Sequence, residues 1–392
     1  MKKNVVFFLT ITAFFSTASA QDVVFFEGSW EELNAAAAAQ NKYIMVDAYT
    51  DWCGPCKQMD KMMFHDNAEV AAVMNENFIS YKIDCERDFG LVFSRKFKVA
   101  GYPTLLFFNS NGQLIDRQMG FEPVTASFVA DLRAVLALDP NDTYQYDAKM
   151  LDMPWPDFYV QAFRDANNEN WKYPKDADPN AFLAAQEDLT SEMAWAVMSR
   201  FNNIDEKYLN YFKENYKTYK RKYKKETENK IQSHLFNEVA VAASTSDEQR
   251  FKAALAEVPV YLPEDAEELA GWMMSYYYMQ TKDWSNYASL MQKDIDAGDR
   301  EISLNEINNT AWRIYLECED QQIIKQAISW FNPYLNDMDD FNSMDTYASL
   351  LFKAGELEQS EKWAIKAIAV GEASGSDVSG TKDLLERITS GR

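Results

Sequence analysis

Two thiols stand two residues apart in Cys53-Gly54-Pro55-Cys56, directly after a short apolar run, Tyr43 to Tyr49, that reads as a buried strand. The run after them, Lys57 to Phe64, places Met59, Met62 and Met63 at helical spacing, so the pair falls on the first turn of a helix. That position has chemical consequences. The free N–H groups and the dipole at a helix start stabilise a thiolate, and the thiolate is the nucleophile in disulfide exchange. Cys53 is therefore expected to attack a substrate disulfide. Cys56, one turn inward and more protected, is expected to resolve the mixed disulfide. Pro55 lacks a donor and suits an early helical position, Gly54 permits a tight turn, and Trp52 can shield the pair on one side. The competing structural readings are an inert disulfide and a zinc site. Zinc would need two further ligands nearby, and His65 in the following turn reads equally as a capping or surface residue.

The elements that would hold this pair can be followed along the chain. Ser29 to Ala39 reads as a helix, with Ser29 as N-cap and Glu32 completing a capping box. Asp66 can cap a helix carrying Val70, Val73 and Met74. Phe78 to Ile83 alternates as a strand, and Phe89 to Phe97 is helical. Pro103 opens a strand through Phe108, Asn111-Gly112 signals a hairpin turn, and Gln113 to Met119 is the return strand. Val124 to Leu138 closes the set as a helix. This is the content of one small α/β domain.

Trp52-Cys53-Gly54-Pro55-Cys56-Lys57 is similar to the active-site run of the thioredoxin family, and two further features sit where that family carries them. Asp47 lies six residues before Cys53, on the preceding strand. Tyr102-Pro103-Thr104 looks like the family's cis-proline loop, and Gly112 and Gly120 suit the last hairpin and its exit. The resemblance implies an α/β thioredoxin-like fold, a central mixed sheet flanked by helices, over residues 21–139. It implies that Asp47 accepts the proton of the resolving thiol. Pro103 with Tyr102 would pack against the cysteines and bind an extended substrate chain, with Trp52, Gly54 and Pro55 on the same surface. One departure concerns Asp47, whose family partner is a lysine on the next strand: Ser80 falls at that place and Lys82 two residues later. The implied activity is exchange of protein thiols and disulfides, as a reductase or an isomerase, with no organic cofactor and no metal.

The first twenty residues have the pattern of a secretory leader. Lys2 and Lys3 precede an apolar stretch from Val5 to Phe15, and Ala18-Ser19-Ala20 gives a small-x-small cut ahead of Gln21. The apolar stretch is too short to span a bilayer permanently, no later segment is long enough, and no cysteine follows the cut to carry a lipid. A soluble exported protein is expected, in a periplasm or alternatively secreted. In that oxidising setting a reductase needs electrons from a membrane partner. Its clients would be disulfide-containing exported proteins. The net charge of −22, spread along the chain, argues against nucleic-acid binding.

Asp139-Pro140-Asn141 ends the α/β unit. Residues 140–180, rich in Pro, Asn, Asp and Trp, read as an irregular connector with short helices. Residues 181–392 read as all-α with degenerate tetratricopeptide-like repeats. The last repeat carries Ala348, Leu351, Gly355, Ser360, Ala364 and Ala367; an earlier one lies around Ala311, Tyr315, Ala327 and Trp330, and a weaker one runs from Trp272 to Leu290. Such an array is a peptide-binding groove for a protein partner or a scaffold. Lys207 to Lys230 is a basic island whose Tyr208, Tyr211, Phe212, Tyr216, Tyr219 and Tyr223 recur on one helical face. It reads as an amphipathic helix with a core-facing stripe, the alternative being a docking surface for acidic partners or lipid headgroups. Cys85 reads as a partly buried free thiol and Cys318 as a packing residue; a second resolving role, or a bond between the two, is the alternative. A non-catalytic adaptor, with the α/β unit as a docking surface, is the rival to the enzyme.

Overall fold

The computed structural model describes residues 21–147, 150–298 and 302–390; the leader expected over residues 1–20 lies outside them. The chain divides into two compact units, one ending at Glu228 and one beginning at Asn229.

The first unit opens with α1 (Trp30–Gln40), whose start is fixed by the expected capping box: the Ser29 side chain accepts from the Glu32 amide and the Glu32 carboxylate accepts from the Ser29 amide. Then follow β1 (Tyr43–Tyr49), α2 (Gly54–Met59), α3 (Ala68–Asn77), β2 (Phe78–Asp84), α4 (Asp88–Phe97), β3 (Thr104–Phe108), β4 (Leu114–Met119) and α5 (Thr125–Leu136). Helix α2 runs on into a π-helical turn, Asp60–Phe64. Asn67, not Asp66, caps α3, its side chain accepting from the Val70 amide. The strands form one mixed sheet in the order β2-β1-β3-β4, with β1 parallel to β2 and β3 antiparallel to both of its neighbours.

Period-two alternation distributes the strand side chains between two cores. Met45, Leu105 and Phe107 join Met59, Met63, Phe64, Met74 and Phe128 on the face covered by α2, α3 and α5. Ile44, Val46, Leu106 and Phe108 join Trp30, Leu33, Phe93 and Phe97 on the face covered by α1 and α4. Gly90 lets α4 pass close to the end of β2: a Cβ there would lie 1.8 Å from the Asp84 carbonyl oxygen. No other residue fits that approach without moving the helix.

Beyond α5 the first unit continues through α6 (Asp157–Gln161), α7 (Pro179–Ala184), α8 (Glu192–Arg200), α9 (Glu206–Glu214) and α10 (Tyr216–Tyr223) to the start of α11 (Lys225–Thr245). Most of the aromatic stripe of the basic island is in the core, as expected of an amphipathic segment: Tyr208, Phe212, Tyr219 and Tyr223 are buried, Tyr211 and Tyr216 are partly buried, and Trp195 stacks on Tyr223. The stripe is carried by two short helices, not one, because the chain turns at Asn215 and again at Lys224, which has φ 47°. Within this unit Glu226 is buried among Arg117 of β4, Lys98 after α4, Tyr146 and Trp195.

The second unit is helical: α12 (Glu248–Tyr261), α13 (Ala266–Thr281), α14 (Trp284–Ala297), α15 (Leu304–Glu317), α16 (Gln321–Trp330), α17 (Phe341–Lys353), α18 (Leu357–Ser374) and α19 (Ser379–Ser390) follow the end of α11. Helix α13 packs on α12 and α14, α14 on α16, α15 on α16 and α17, α16 on α17, and α18 on α17 and α19. Small residues set the approach of α17 and α18: Ala348, Ala364 and Ala367 are fully buried, and Ser360 Oγ donates to the Ala348 carbonyl at 2.7 Å. Cys318 caps the end of α15 inside the core, and Cys85 is fully buried in the first unit; both are free thiols, not bonded to each other. Among the described residues, no helix is long and apolar enough to cross a membrane.

Candidate active site

The turn from β1 into α2 places the two thiols. Cys53 is the N-cap of α2, with its amide donating to the Thr50 carbonyl at 3.1 Å and its Sγ accepting from the Cys56 amide at 3.0 Å. Cys53 and Cys56 are joined as a disulfide, with Cα atoms 5.3 Å apart. The N–H that meets Cys53 Sγ is one of the free donors of a helix start, so a thiolate there gains a charge-assisted hydrogen bond on reduction. Gly54 and Pro55 are exposed on the first turn, as a surface for a bound chain requires. The greater exposure expected of Cys53 is absent from the disulfide form: it is 2% accessible against 4% for Cys56, because the N-cap sulfur is turned back against its own helix.

Asp47 is fixed by register. It alternates with Met45 and so faces the same side of the sheet as α2, and it pairs with Leu105, two residues after Pro103. Its partner on β2 is Lys82, not Ser80, which pairs with Met45. The register, with Tyr43 opposite Phe78, brings Asp47 to Lys82 directly. The lysine is shared: its Nζ donates to Asp60 Oδ1 in the π-turn after α2. Among the described residues Asp47 Oδ1 has no hydrogen-bond partner. Burial pushes the Asp47 carboxyl up to about 7, Lys82 offsetting part of the rise and Asp60 adding to it.

This shift fixes a pH dependence. A carboxyl whose folded pKa is raised favours folding while protonated, so its contribution is lost as pH climbs from the unfolded value of about 4 to about 7. The span corresponds to about 4 kcal/mol. Urea unfolding of the oxidised chain should therefore show Asp47→Asn stabilised over wild type at pH 8 by an amount approaching that figure. The two should converge near pH 4. Parallel stability curves for the two proteins would refute the assignment.

The rim of the site is aromatic and anchored by one carboxylate. The Tyr102–Pro103 peptide bond is cis, and the Ala48–Thr104 pairing brings this loop beside the exit of β1. The Trp52 indole, 59% exposed, meets the Tyr102 ring edge-on at 6.0 Å and donates from Nε1 to Glu86 Oε2 at 3.0 Å. Glu86 is buried, and the same oxygen accepts from Arg164 Nη1 at 3.0 Å. Neither Glu86 nor Arg164 has a sequence signal, because their pairing spans residues far apart in the chain. His65 is half-exposed beside Asp60 and Asp22, and among the described residues no group of three potential ligands is placed to hold a metal.

A family model described as thioredoxin-like matches residues 26–110. Over 109 residues the chain is 36% identical to the thiol:disulfide interchange protein DsbD of Pseudoalteromonas atlantica, covering 27% of this chain and 18% of that protein. With DsbD of Salmonella typhimurium it shares 34% identity over 84 residues, covering 21% and 15%. A solution structure of a candidate disulphide-isomerase from Bacteroides thetaiotaomicron is 34% identical, covers 31% of this chain and 99% of that one, and has a TM-score of 0.28. The chain thus spans under a fifth of the length of these curated relatives. With its Cys-Gly-Pro-Cys pair at the head of α2 and its mixed sheet behind, this chain belongs, through residues 26–110, to the thioredoxin-like family.

Proposed function

We propose that the protein is an exported thiol-disulfide oxidoreductase that acts on disulfides of other exported proteins. The observation that carries this reading is the Cys53–Cys56 disulfide at the start of α2, with the Cys56 amide aimed at Cys53 Sγ. In the reduced state the Cys53 thiolate attacks one sulfur of a substrate disulfide. A mixed disulfide forms, and the displaced thiolate takes up a proton. Cys56 then gives its proton to Asp47 and attacks Cys53 Sγ, which releases the second substrate thiol and leaves the pair oxidised. Two electrons pass to the substrate. Another dithiol, at a membrane donor, returns them. Burial of Asp47, with its carboxyl raised to about 7, suits it to exchange a proton near neutral pH.

In this reading the leader over residues 1–20 is removed and the protein works in the periplasm. Residues 21–139 carry the catalytic site, residues 140–228 pack with them in the first unit, and the helices of the second unit are the tetratricopeptide-like array, expected over residues 181–392, that recruits a protein partner. Pro103, Tyr102, Trp52, Gly54 and Pro55 bind the substrate chain around its disulfide. Insulin reduction with dithiothreitol tests the activity. The full-length chain should precipitate the insulin B chain well ahead of dithiothreitol alone; a rate equal to dithiothreitol alone leaves the adaptor reading in its place.

A further inference from the structure

The family match ends at residue 110, yet one wall of the site is supplied from residues 162–167. Glu86 follows β2 directly and is held from this later segment at two points. Its carboxylate accepts from Arg164 Nη1 at 3.0 Å, and its carbonyl accepts from the Ala166 amide at 2.9 Å. Next to it, Arg87 donates to Asn167 Oδ1 at 3.3 Å and also binds Asp51, two residues before Cys53. The other end of the segment is pinned by Arg200 of α8, whose Nη2 donates to the Ala162 carbonyl at 2.6 Å while its guanidinium lies over the Phe163 ring. The strap is therefore fastened at both ends, to the loop that carries Glu86 and to α8.

From this geometry we infer that Arg164 is a positioning residue for disulfide exchange: through Glu86 it holds the Trp52 indole in place beside Cys53. The chain beyond the thioredoxin-like match thereby shapes substrate access. The inference rests on the oxidoreductase reading. Its physical basis is that one carboxylate oxygen serves both Trp52 Nε1 and Arg164 Nη1. Without the guanidinium, the Oε2 atom of buried Glu86 keeps, among the described residues, only the neutral indole donor. The carboxylate then rotates toward water, and the half-exposed indole loses the carboxylate that anchors it.

The test compares full-length wild type, Arg164→Ala and Arg164→Lys in insulin reduction, with a small aromatic disulfide as second substrate. Loss of the charge-assisted bond predicts a KM for insulin raised about tenfold in Arg164→Ala. Its kcat, and its rate with the small disulfide, should stay near wild type, and Arg164→Lys should recover most of the loss. The Trp52 fluorescence component, read as the difference from a matched Trp52→Phe chain, should shift to longer wavelength in Arg164→Ala. An unchanged insulin KM overturns the proposal, as does an equal loss on both substrates with no recovery by lysine. Should wild type itself leave insulin oxidised, the oxidoreductase reading fails, and an unmoved Trp52 component then overturns the positioning role separately.

Discussion

Serine in place of Cys53 is expected to bring insulin reduction down to the rate of dithiothreitol alone, a fall on the order of 10³-fold. The substitution separates chemistry from fold. Serine is a favoured N-cap residue, and its Oγ can accept the Cys56 amide as Cys53 Sγ does, so α2 should still form. A hydroxyl beside the same helix start remains protonated at neutral pH and does not attack a disulfide. Matching far-ultraviolet circular dichroism with abolished turnover is the expected pair of results. Wild-type turnover in Cys53→Ser would remove this sulfur from the mechanism. Cys85, fully buried and with its thiol pushed up by burial, is not expected to take over.

Glu226→Ala should destabilise the first unit by about 3–5 kcal/mol, because it leaves two buried cations without their anion. Glu226 Oε1 accepts from Arg117 and from the Tyr146 hydroxyl, and Oε2 accepts from Trp195 Nε1 at 3.0 Å and lies 3.3 Å from Lys98 Nζ. Arg117, Lys98 and Glu226 are all less than a tenth exposed, so water cannot take over when one member is removed. Burial alone would raise the Glu226 carboxyl; Lys98 and Arg117, with the hydrogen bonds from Tyr146 and Trp195, outweigh it and hold the group below its usual range. Burial also draws the Lys98 ammonium down to about 8, despite the neighbouring carboxylate. Urea unfolding followed by tryptophan emission measures the effect, which should be insensitive to salt because the cluster is shielded. A loss below about 1 kcal/mol, the range of a surface pair, would contradict the role assigned to the cluster.

Features that depend on residues within a few positions of one another are legible in the sequence. The capping box at Ser29 and Glu32, the buried run Tyr43–Tyr49 and the turn at Gly112, with φ 74°, are of this kind. The cysteine pair and its helix belong to the same class. Pairings across the chain are not legible in this way. Family spacing points to Ser80 as the residue opposite Asp47, whereas strand register puts Lys82 there. Arg164 with Glu86, and Glu226 with Arg117, join residues 78 and 109 positions apart, and nothing in composition or periodicity marks them. The breaks at Asn215 and Lys224 escape the pattern for a related reason: an aromatic spacing of three and four is the same whether one helix or two carry it.

The most direct measurement is a mixed-disulfide trap. Reduced full-length Cys56→Ser, mixed with oxidised insulin, should accumulate a covalent adduct that dithiothreitol releases and whose linked peptide contains Cys53, since the resolving thiol is gone. No adduct, or one joined through Cys85 or Cys318, would contradict the account.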